Sequence, residues 1–247
     1  PDSLVVVNGE YPVMLGSIRT FYKRNGYKPV WTGYNGLNGR AGSLLYLIEH
    51  AREFGLEPSL YHISAISGLK QQNENDLKGI NKTALQVGME LLMTDAAFQL
   101  MVNLHAGYRS FDTTLYSEAW VDILPDILLH GIATGKIAEN ILSVQPRFIE
   151  YKKLQYANEN FVKTNSLTDQ WVKIKYPSKD TALLYAQAGK ILKMLGYLST
   201  NSNNAAITIA LKEFQHFHGL EPDGKMGKNT VDALQQSTLY KYRILAL

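Results

Sequence analysis

The chain has 247 residues, 45% of them hydrophobic and 19% charged, which is enough apolar material for one large domain or two ordinary ones. Its formal net charge of +3 is too small to predict the concentrated basic face of a nucleic-acid-binding protein. It contains no cysteine, which excludes disulfides, thiolate metal sites and a cysteine nucleophile from these residues. No apolar run reaches the about 18 residues of a membrane-spanning helix, so none is predicted.

Apolar residues recur three and four positions apart along the first part of the chain, which favours an all-α fold. The pattern predicts helices over residues 13–25, 41–54, 58–66, 83–106, 121–133, 136–142 and 147–163. The helix over 83–106 is apolar on most sides, which is typical of a helix in the middle of a bundle. Residues 33–39 and 71–76 are predicted to be loops, and residues 164–179 an extended linker.

Residues 203–236 predict two helices separated by a tight turn. Ile207, Leu211 and Phe214 recur at helical spacing and would line one face of the first helix. Gly219 follows where a helix C-cap is expected, because glycine accepts a positive φ without strain.

Polar residues then mark the turn and the start of the second helix. The sequence of residues 222–224 is Pro-Asp-Gly, a combination typical of a turn. Asn229 is predicted to be the N-cap of the second helix, with Asp232 as an acidic residue of its first turn.

The order of short motifs in this stretch resembles the small three-helix peptidoglycan-binding domain of bacterial cell-wall enzymes. The motifs are Phe214–Gln215, Gly219–Leu220, Asp223–Gly224, Gly227 and Thr230. Upstream, a leucine-rich run that ends at Leu195, Gly196 and Tyr197 is similar to the first helix of that family. The resemblance implies a three-helix domain that binds peptidoglycan.

A ligand site is predicted at the turn, because the backbone N–H groups of a glycine-rich turn and of a helix start suit the carboxylates of muropeptides. The predicted ligand-binding residues are Asp223, Gly224, Lys225, Gly227, Asn229 and Thr230, with Tyr197 and His218 beside them. The alternative, that this turn only builds the fold, stays open.

Earlier motifs resemble the helical scaffold domain that precedes the binding domain in large periplasmic L,D-transpeptidases. They include Tyr27, Pro29 and Trp31, then Gly55–Leu56 with Pro58 and Tyr61, then Glu90–Leu92 with Thr94–Asp95. The resemblance predicts a scaffold at 1–175, a peptidoglycan-binding domain at 176–238, and the start of a linker to an absent catalytic domain at 239–247. The chain departs from that family in lacking the nucleophilic cysteine, so we expect these residues to be a non-catalytic portion of a longer enzyme.

Other candidate chemistry rests on isolated residues. Glu90 is the best candidate for a hydrolase acid, because it lies among leucines in the central helix. Asp95 is expected to be an acid hydrogen-bonded between helices. His216 and His218 would point about 200° apart on a helix, so we predict no zinc site and no cofactor. His62 and His105 are expected to be structural.

These observations lead to one main hypothesis and two alternatives. The main one is an all-α protein, a helical scaffold bundle followed by a small three-helix domain, that binds and positions peptidoglycan in the periplasm or cell envelope. Any export signal is expected to have been removed. The alternatives are a peptidoglycan hydrolase whose helical part is catalytic, and an interaction scaffold for other wall proteins. Nucleic acid is not expected as a partner, and the oligomeric state stays open.

Overall fold

The computed structural model describes residues 5–76, 79–107, 118–199 and 203–246, and these residues are mostly helical. The α-helices are α1 (Leu15–Arg24), α2 (Gly39–Glu49), α3 (Ile63–Asn75), α4 (Lys82–Ala106), α5 (Glu118–Val121), α6 (Leu124–Thr134), α7 (Ile137–Leu142), α8 (Ile149–Thr164), α9 (Thr181–Met194), α10 (Asn204–Phe217), α11 (Lys228–Leu234) and α12 (Thr238–Leu245). The predicted all-α fold is confirmed. The chain divides into two compact units, residues 1–159 and 160–247.

Helix α4 is the centre of the first unit, as its apolar pattern predicts. Every residue from 88 to 104 except Leu91 is buried. Helices α1, α2, α3, α6 and α7 all contact α4. A helix buried on all sides must satisfy its polar side chains internally, which gives special weight to the acids that α4 carries.

Two predicted loops of the first unit have regular structure instead. The prediction of a loop at 71–76 was wrong for 71–75, because α3 continues to Asn75. The buried residues of α3 end at Leu69, so the polar tail forms an exposed helical end that apolar periodicity cannot detect. Within 33–39, a short antiparallel ladder pairs Thr32–Gly33 (β1) with Gly36–Leu37 (β2). Asn38 then caps α2.

The second unit is built on α9, α10 and α11. Its core includes Leu184, Ile191, Leu211, Phe214 and Val231, because these apolar residues face inward from the three helices. The predicted three-helix arrangement of this part is therefore what the structure contains.

Residues before α9 and after α11 also belong to the second unit. The predicted linker is extended, and it contributes to the core, with Ile174 buried and Trp171 packed against it. The indole Nε1–H of Trp171 donates to the carbonyl of Leu234 at 2.7 Å. The segment predicted to begin a further linker forms α12, whose Tyr242 is buried.

Candidate functional site

A groove of about 370 Å³ lies where α10, the turn after it and the start of α11 meet. Its lining residues are Gln215, Leu220, Glu221, Asp223, Lys225, Gly227, Lys228, Asn229 and Thr230. The groove therefore combines carboxylate, ammonium, amide and hydroxyl groups with one apolar wall. Its volume is near the lower end of the about 300–1,000 Å³ of ligand pockets, so it suits one part of a ligand rather than a whole polymer.

The end of α10 directs the chain into the groove. Gly219 has φ +64°, and its N–H donates to the carbonyl of His216 at 3.1 Å. The N–H of Leu220 reaches back to the carbonyl of Gln215 at 2.8 Å. This pair of bonds is a Schellman ending, which explains why a glycine is required there.

A buried glutamine organises the turn that follows. Gln215 is 1% exposed, and its Oε1 accepts the N–H of Gly224 at 2.7 Å. Its Nε2 lies 3.0 Å from Asp223 Oδ1, 3.1 Å from the Lys225 carbonyl and 3.1 Å from Thr230 Oγ1. One side chain thus ties the turn to both neighbouring helices.

Gly224 serves the fold rather than the groove surface. It has φ +74°, and a Cβ there would come within 3.0 Å of Thr208 Cγ2 and 3.1 Å of Lys212 Cε. Its carbonyl accepts the Tyr185 hydroxyl at 2.9 Å. Its absence from the lining follows from this burial among neighbouring side chains.

Asp223 and Lys228 carry charges that the protein itself uses. Asp223 Oδ1 accepts the N–H of Lys225 at 2.8 Å, and this bond and the one from Gln215 lower the pKa of the Asp223 carboxyl. Lys228 forms an ion pair with Asp232 one helical turn later, and the same pairing raises the pKa of Lys228. Lys228 is therefore already paired with an opposite charge, and Asp223 is held in its ionised form by hydrogen bonds within the turn.

The prediction that Asn229 caps the second helix was wrong. Helix α11 begins at Lys228, its N-cap is Gly227, and no side chain caps it. The backbone of Gly227 is extended, with φ −78° and ψ 169°, which places the start of the helix two residues earlier than predicted. Asn229 is consequently helical and exposed, and it lines the groove. Asp232 lies past the first turn and pairs with Lys228.

Tyr197 and His218 belong to an aromatic cluster that does not line the groove. The His218 ring stacks on Phe214 with centroids 3.9 Å apart, and Tyr197 meets Phe214 edge-on at 5.8 Å. His218 Nδ1 donates to the Phe214 carbonyl at 2.8 Å. Burial lowers the pKa of His218, and nearby Lys241 lowers it further. Burial raises the pKa of Tyr197, with Glu213 adding to the rise.

The structure thus brings five of the eight predicted ligand residues into one groove: Asp223, Lys225, Gly227, Asn229 and Thr230. Sequence reasoning missed Gln215, Leu220, Glu221 and Lys228 as lining residues. Gln215 and Leu220 were visible as parts of the motifs, and Glu221 and Lys228 as the charged neighbours of the turn. Their convergence on one groove required the tertiary structure.

Glu90 in the first unit is a structural carboxylate, held by an extended segment of the chain. Its Oε1 accepts the N–H of Trp31 at 2.9 Å and both the N–H and the hydroxyl of Thr32 at 2.7 Å. Its Oε2 accepts the Tyr22 hydroxyl at 2.6 Å and the Val30 N–H at 3.0 Å. Both oxygens are engaged in a side chain that is 6% exposed, and burial with the nearby Glu90 charge raises the pKa of Tyr22.

Asp95 is the second buried acid, and it is hydrogen-bonded between elements as predicted. Its oxygens accept the N–H groups of Met14 and Val13 at 2.7 and 3.1 Å. His62 Nε2 lies 2.8 Å from Asp95 Oδ2, and His62 Nδ1 lies 3.1 Å from Glu10 Oε2. Burial acts to lower the pKa of His62, but Asp95 and Glu10 outweigh it and raise that pKa.

Within residues 5–76, 79–107, 118–199 and 203–246, no cluster of three or more His, Cys, Asp and Glu side chains is placed to hold a metal ion. In the same part of the chain, no helix has both the length and the apolar character to cross a bilayer.

Along the chain, a helical bundle whose buried acids are hydrogen-bonded precedes a three-helix unit with a surface groove. Comparison with protein families gives the type of each part. Residues 16–157, more than half of the chain, match the family described as "Scaffold domain", and the chain belongs to that family. Residues 186–234 match the family described as "Putative peptidoglycan binding domain". No curated protein matches the chain.

Proposed function

We propose that this protein binds cell-wall peptidoglycan through the groove between α10 and α11. The observation that carries the proposal is the position of the groove within the matched domain. All of its lining residues, from Gln215 to Thr230, fall inside the range 186–234 that matches the peptidoglycan-binding family. A second, smaller cavity beside α9 also lies inside that range, so the choice of this groove rests on its charged, amide and hydroxyl side chains.

The chemistry of the groove suits the peptide part of the wall. Stem peptides offer amide groups and free carboxylates, which the ammonium of Lys225 and the side chains of Asn229 and Thr230 can bind. Asp223, Lys225, Gly227, Asn229 and Thr230 are the proposed contact residues. Tyr197, His218 and Gly224 are proposed to act indirectly, by shaping the domain.

The proposed role is to position wall polymer for a partner activity in a longer protein. The order of a scaffold domain and then a binding domain, together with the motifs of both, resembles the non-catalytic portion of large periplasmic L,D-transpeptidases. In that setting these residues would hold peptide stems for the formation of 3–3 cross-links. The proposed scaffold is the first compact unit, residues 1–159, and the proposed binding domain is the second, residues 160–247. The predicted boundaries at 175 and 238 move because Trp171, Ile174 and Tyr242 pack in the second unit.

The buried acids of the first unit favour this role over wall hydrolysis. A general acid must reach substrate, so at least one carboxylate oxygen must face an open cleft. Glu90 uses both oxygens on the chain around residues 30–32 and on Tyr22. Asp95 uses both oxygens on the backbone of residues 13–14 and on His62.

Co-sedimentation with purified peptidoglycan sacculi tests the proposal, with release of soluble muropeptides measured on the same sample. We expect the protein to pellet without releasing fragments. Asn229→Ala and Lys225→Ala should each weaken pelleting by about fivefold, as expected for losing one exposed hydrogen bond or ion pair. Lys190→Ala, a matched change on the exposed face of α9, should leave pelleting unchanged.

Each other outcome points elsewhere. Release of soluble fragments would favour the hydrolase alternative and redirect attention to the first unit. A protein that neither pellets nor releases fragments would favour an interaction scaffold, in which the domain is kept for its packing. Lys190 lines a second cavity beside α9, so equal weakening by Lys190→Ala would mean that this cavity or general positive charge, and not the groove, holds the wall.

A further inference from the structure

The groove presents opposite charges in equal number, and this balance restricts its ligand. Its four charged lining residues are Glu221, Asp223, Lys225 and Lys228. Two carboxylates and two ammonium groups give the groove no net charge. A ligand that carries a carboxylate alone would meet two negative side chains as well as two positive ones, so it is poorly matched.

Two of these four charges are already engaged by the protein. Lys228 is paired with Asp232 across one turn of α11. Asp223 has Oδ1 committed to the Lys225 N–H and to Gln215 Nε2, bonds that hold the turn together. A ligand would have to compete with Asp232 for Lys228, and Asp223 has only Oδ2 left to offer, so both are weaker anchors for a ligand than Glu221 and Lys225.

The remaining two, Glu221 and Lys225, are exposed, and no ion pair joins either side chain to another residue of the described chain. The Lys225 charge lies near enough to Asp223 to help lower the pKa of that carboxyl. Leu220 adds an apolar wall to the same groove. The groove therefore offers one anion and one cation outside any ion pair, and one hydrocarbon surface, within a volume of about 370 Å³. That volume suits a single branched residue rather than a length of polymer.

We propose that the groove recognises a zwitterionic amino-acid end on a short methylene chain, with Lys225 binding its carboxylate and Glu221 its ammonium. A stem-peptide residue with two amino and two carboxyl groups presents such an end as long as its side-chain amine is not cross-linked. Its methylenes would lie against Leu220. This inference rests on the proposed function, and it narrows the substrate to stems whose diamino acid is a diacid and is still free.

The recognition would be conditional on the state of the wall. Cross-linking through the side-chain amine converts the ammonium into a neutral amide, which removes the partner of Glu221. Amidation of the side-chain carboxylate removes the partner of Lys225 in the same way. The groove would therefore discriminate a stem whose side-chain amine is free from an acceptor stem whose side-chain amine has already been joined.

Calorimetric titration of the full chain with three synthetic stem tripeptides tests the proposal. The first ends in meso-diaminopimelate, the second has that residue N-acetylated on its side-chain amine, and the third ends in lysine. The main-chain terminus is amidated in all three, so that the peptides differ in the side-chain end alone. We expect the first to bind about fivefold more tightly than either of the others.

Protein variants test which charged side chain binds the carboxylate of the ligand and which binds its ammonium. Lys225→Met should weaken binding of the diaminopimelate peptide about fivefold. The variant should then bind this peptide and the lysine peptide with equal affinity, because the two peptides differ only in the carboxylate that Lys225 binds. Glu221→Gln should instead remove the advantage of the diaminopimelate peptide over the N-acetylated peptide. Lys190→Met, a charge change outside the groove, should preserve both advantages.

Equal affinity for the three peptides, or no binding of any of them, would overturn the inference. A single variant that binds all three peptides equally would also overturn the inference, because each side chain would then not bind one group of the ligand. Pelleting on sacculi separates this from the proposed function: pelleting without peptide discrimination leaves wall binding intact and refutes the zwitterion, and a chain that does not pellet refutes wall binding itself.

Discussion

Gln215 and Gly224 are joined by a hydrogen bond of 2.7 Å that closes the turn beneath the groove. The bond links a side chain of α10 to a backbone N–H nine positions later, in a glycine that has φ +74°. The same amide holds Asp223, Lys225 and Thr230 through its nitrogen. The groove is therefore preorganised by one buried residue at its base.

Replacing that residue should damage the second unit. Gln215→Leu keeps approximate volume but leaves the Gly224 N–H and the acceptors around it without their partner. We expect the free energy of unfolding to fall by about 3 kcal/mol. Fluorine NMR of fluorotryptophan-labelled protein during urea titration can follow Trp171, the tryptophan packed against this core. Its midpoint should fall.

A matched variant separates this effect from a general effect of adding a leucine. Gln235 is exposed at the end of α11. The free energy of unfolding followed at Trp171 should therefore stay within about 0.5 kcal/mol of the unaltered protein in Gln235→Leu. A similar midpoint for both variants would show that the Gln215 hydrogen bonds contribute little net stability.

Two glycines of the turn should respond differently to the same substitution. Gly224→Ala combines a left-handed backbone with a Cβ 3.0 Å from Thr208 Cγ2, so we expect a loss of about 2 kcal/mol. Gly227 has ordinary extended dihedrals, and a Cβ there meets nothing within 4 Å. Gly227→Ala should cost less than about 1 kcal/mol, since only the N-cap preference is lost.

Thermal unfolding followed by the same Trp171 signal would rank the two glycine variants. A loss for Gly227→Ala as large as that for Gly224→Ala would contradict the assignment of the steric constraint to Gly224.

Glu90→Gln should destabilise the first unit without changing its shape. The carboxylate accepts N–H and hydroxyl donors from residues 30–32 and from Tyr22. A glutamine amide would turn an NH₂ group toward some of those donors, so we expect a loss of about 3–4 kcal/mol. Fluorotryptophan NMR of Trp31, which is buried beside Glu90, would report it.

Glu49→Gln is the control for the loss of one negative charge, because Glu49 is exposed at the end of α2. This substitution should change the free energy of unfolding followed at Trp31 by less than about 0.5 kcal/mol. An unchanged midpoint for Glu90→Gln would contradict the structural role of that acid and would reopen the hydrolase alternative.

The stability of the first unit should depend on pH through His62. Asp95 and Glu10 raise the pKa of His62 in the folded chain, so the folded state holds its proton more tightly than the unfolded state does. The stabilisation is complete below the unfolded pKa of about 6.5, and it is lost as the pH rises through the higher folded-state pKa. The urea midpoint of unfolding followed at Trp31 should fall as the pH rises through that range.

His62→Gln should flatten this part of the pH dependence, because the titrating group is gone. His130→Gln, at an exposed position of α6, should leave it as it was. A midpoint that rises with pH over the same range in the unaltered protein would reverse the assigned direction of the shift.

Features that depend on neighbours a few positions away could be predicted from the sequence. The apolar pattern of 83–106 predicted α4 to within one residue at its start, because residues three and four apart share a helical face. The glycine after α10 was predictable for the same reason, since a Schellman ending uses bonds within one turn. The order of motifs also indicated the binding domain that the family comparison found at 186–234.

Prediction from local patterns failed where the backbone conformation of a neighbouring residue set the helix start, and where a helical segment has no apolar face. Asn229 has the chemistry of an N-cap, but the extended backbone at Gly227 started α11 earlier. The tail of α3 has no apolar face, so its helical continuation to Asn75 left no periodic signal.

Tertiary structure alone decided what the buried polar residues do. Glu90 meets the backbone of Trp31 from 59 positions away, and hydrogen bonds at such separations depend on how helices pack rather than on local spacing. Packing likewise placed Glu221 and Lys228 in the lining of the groove. It placed Tyr197 in an aromatic cluster, against Phe214. Residue type sets which interactions a side chain can make, and only the folded chain determines which partners come within reach.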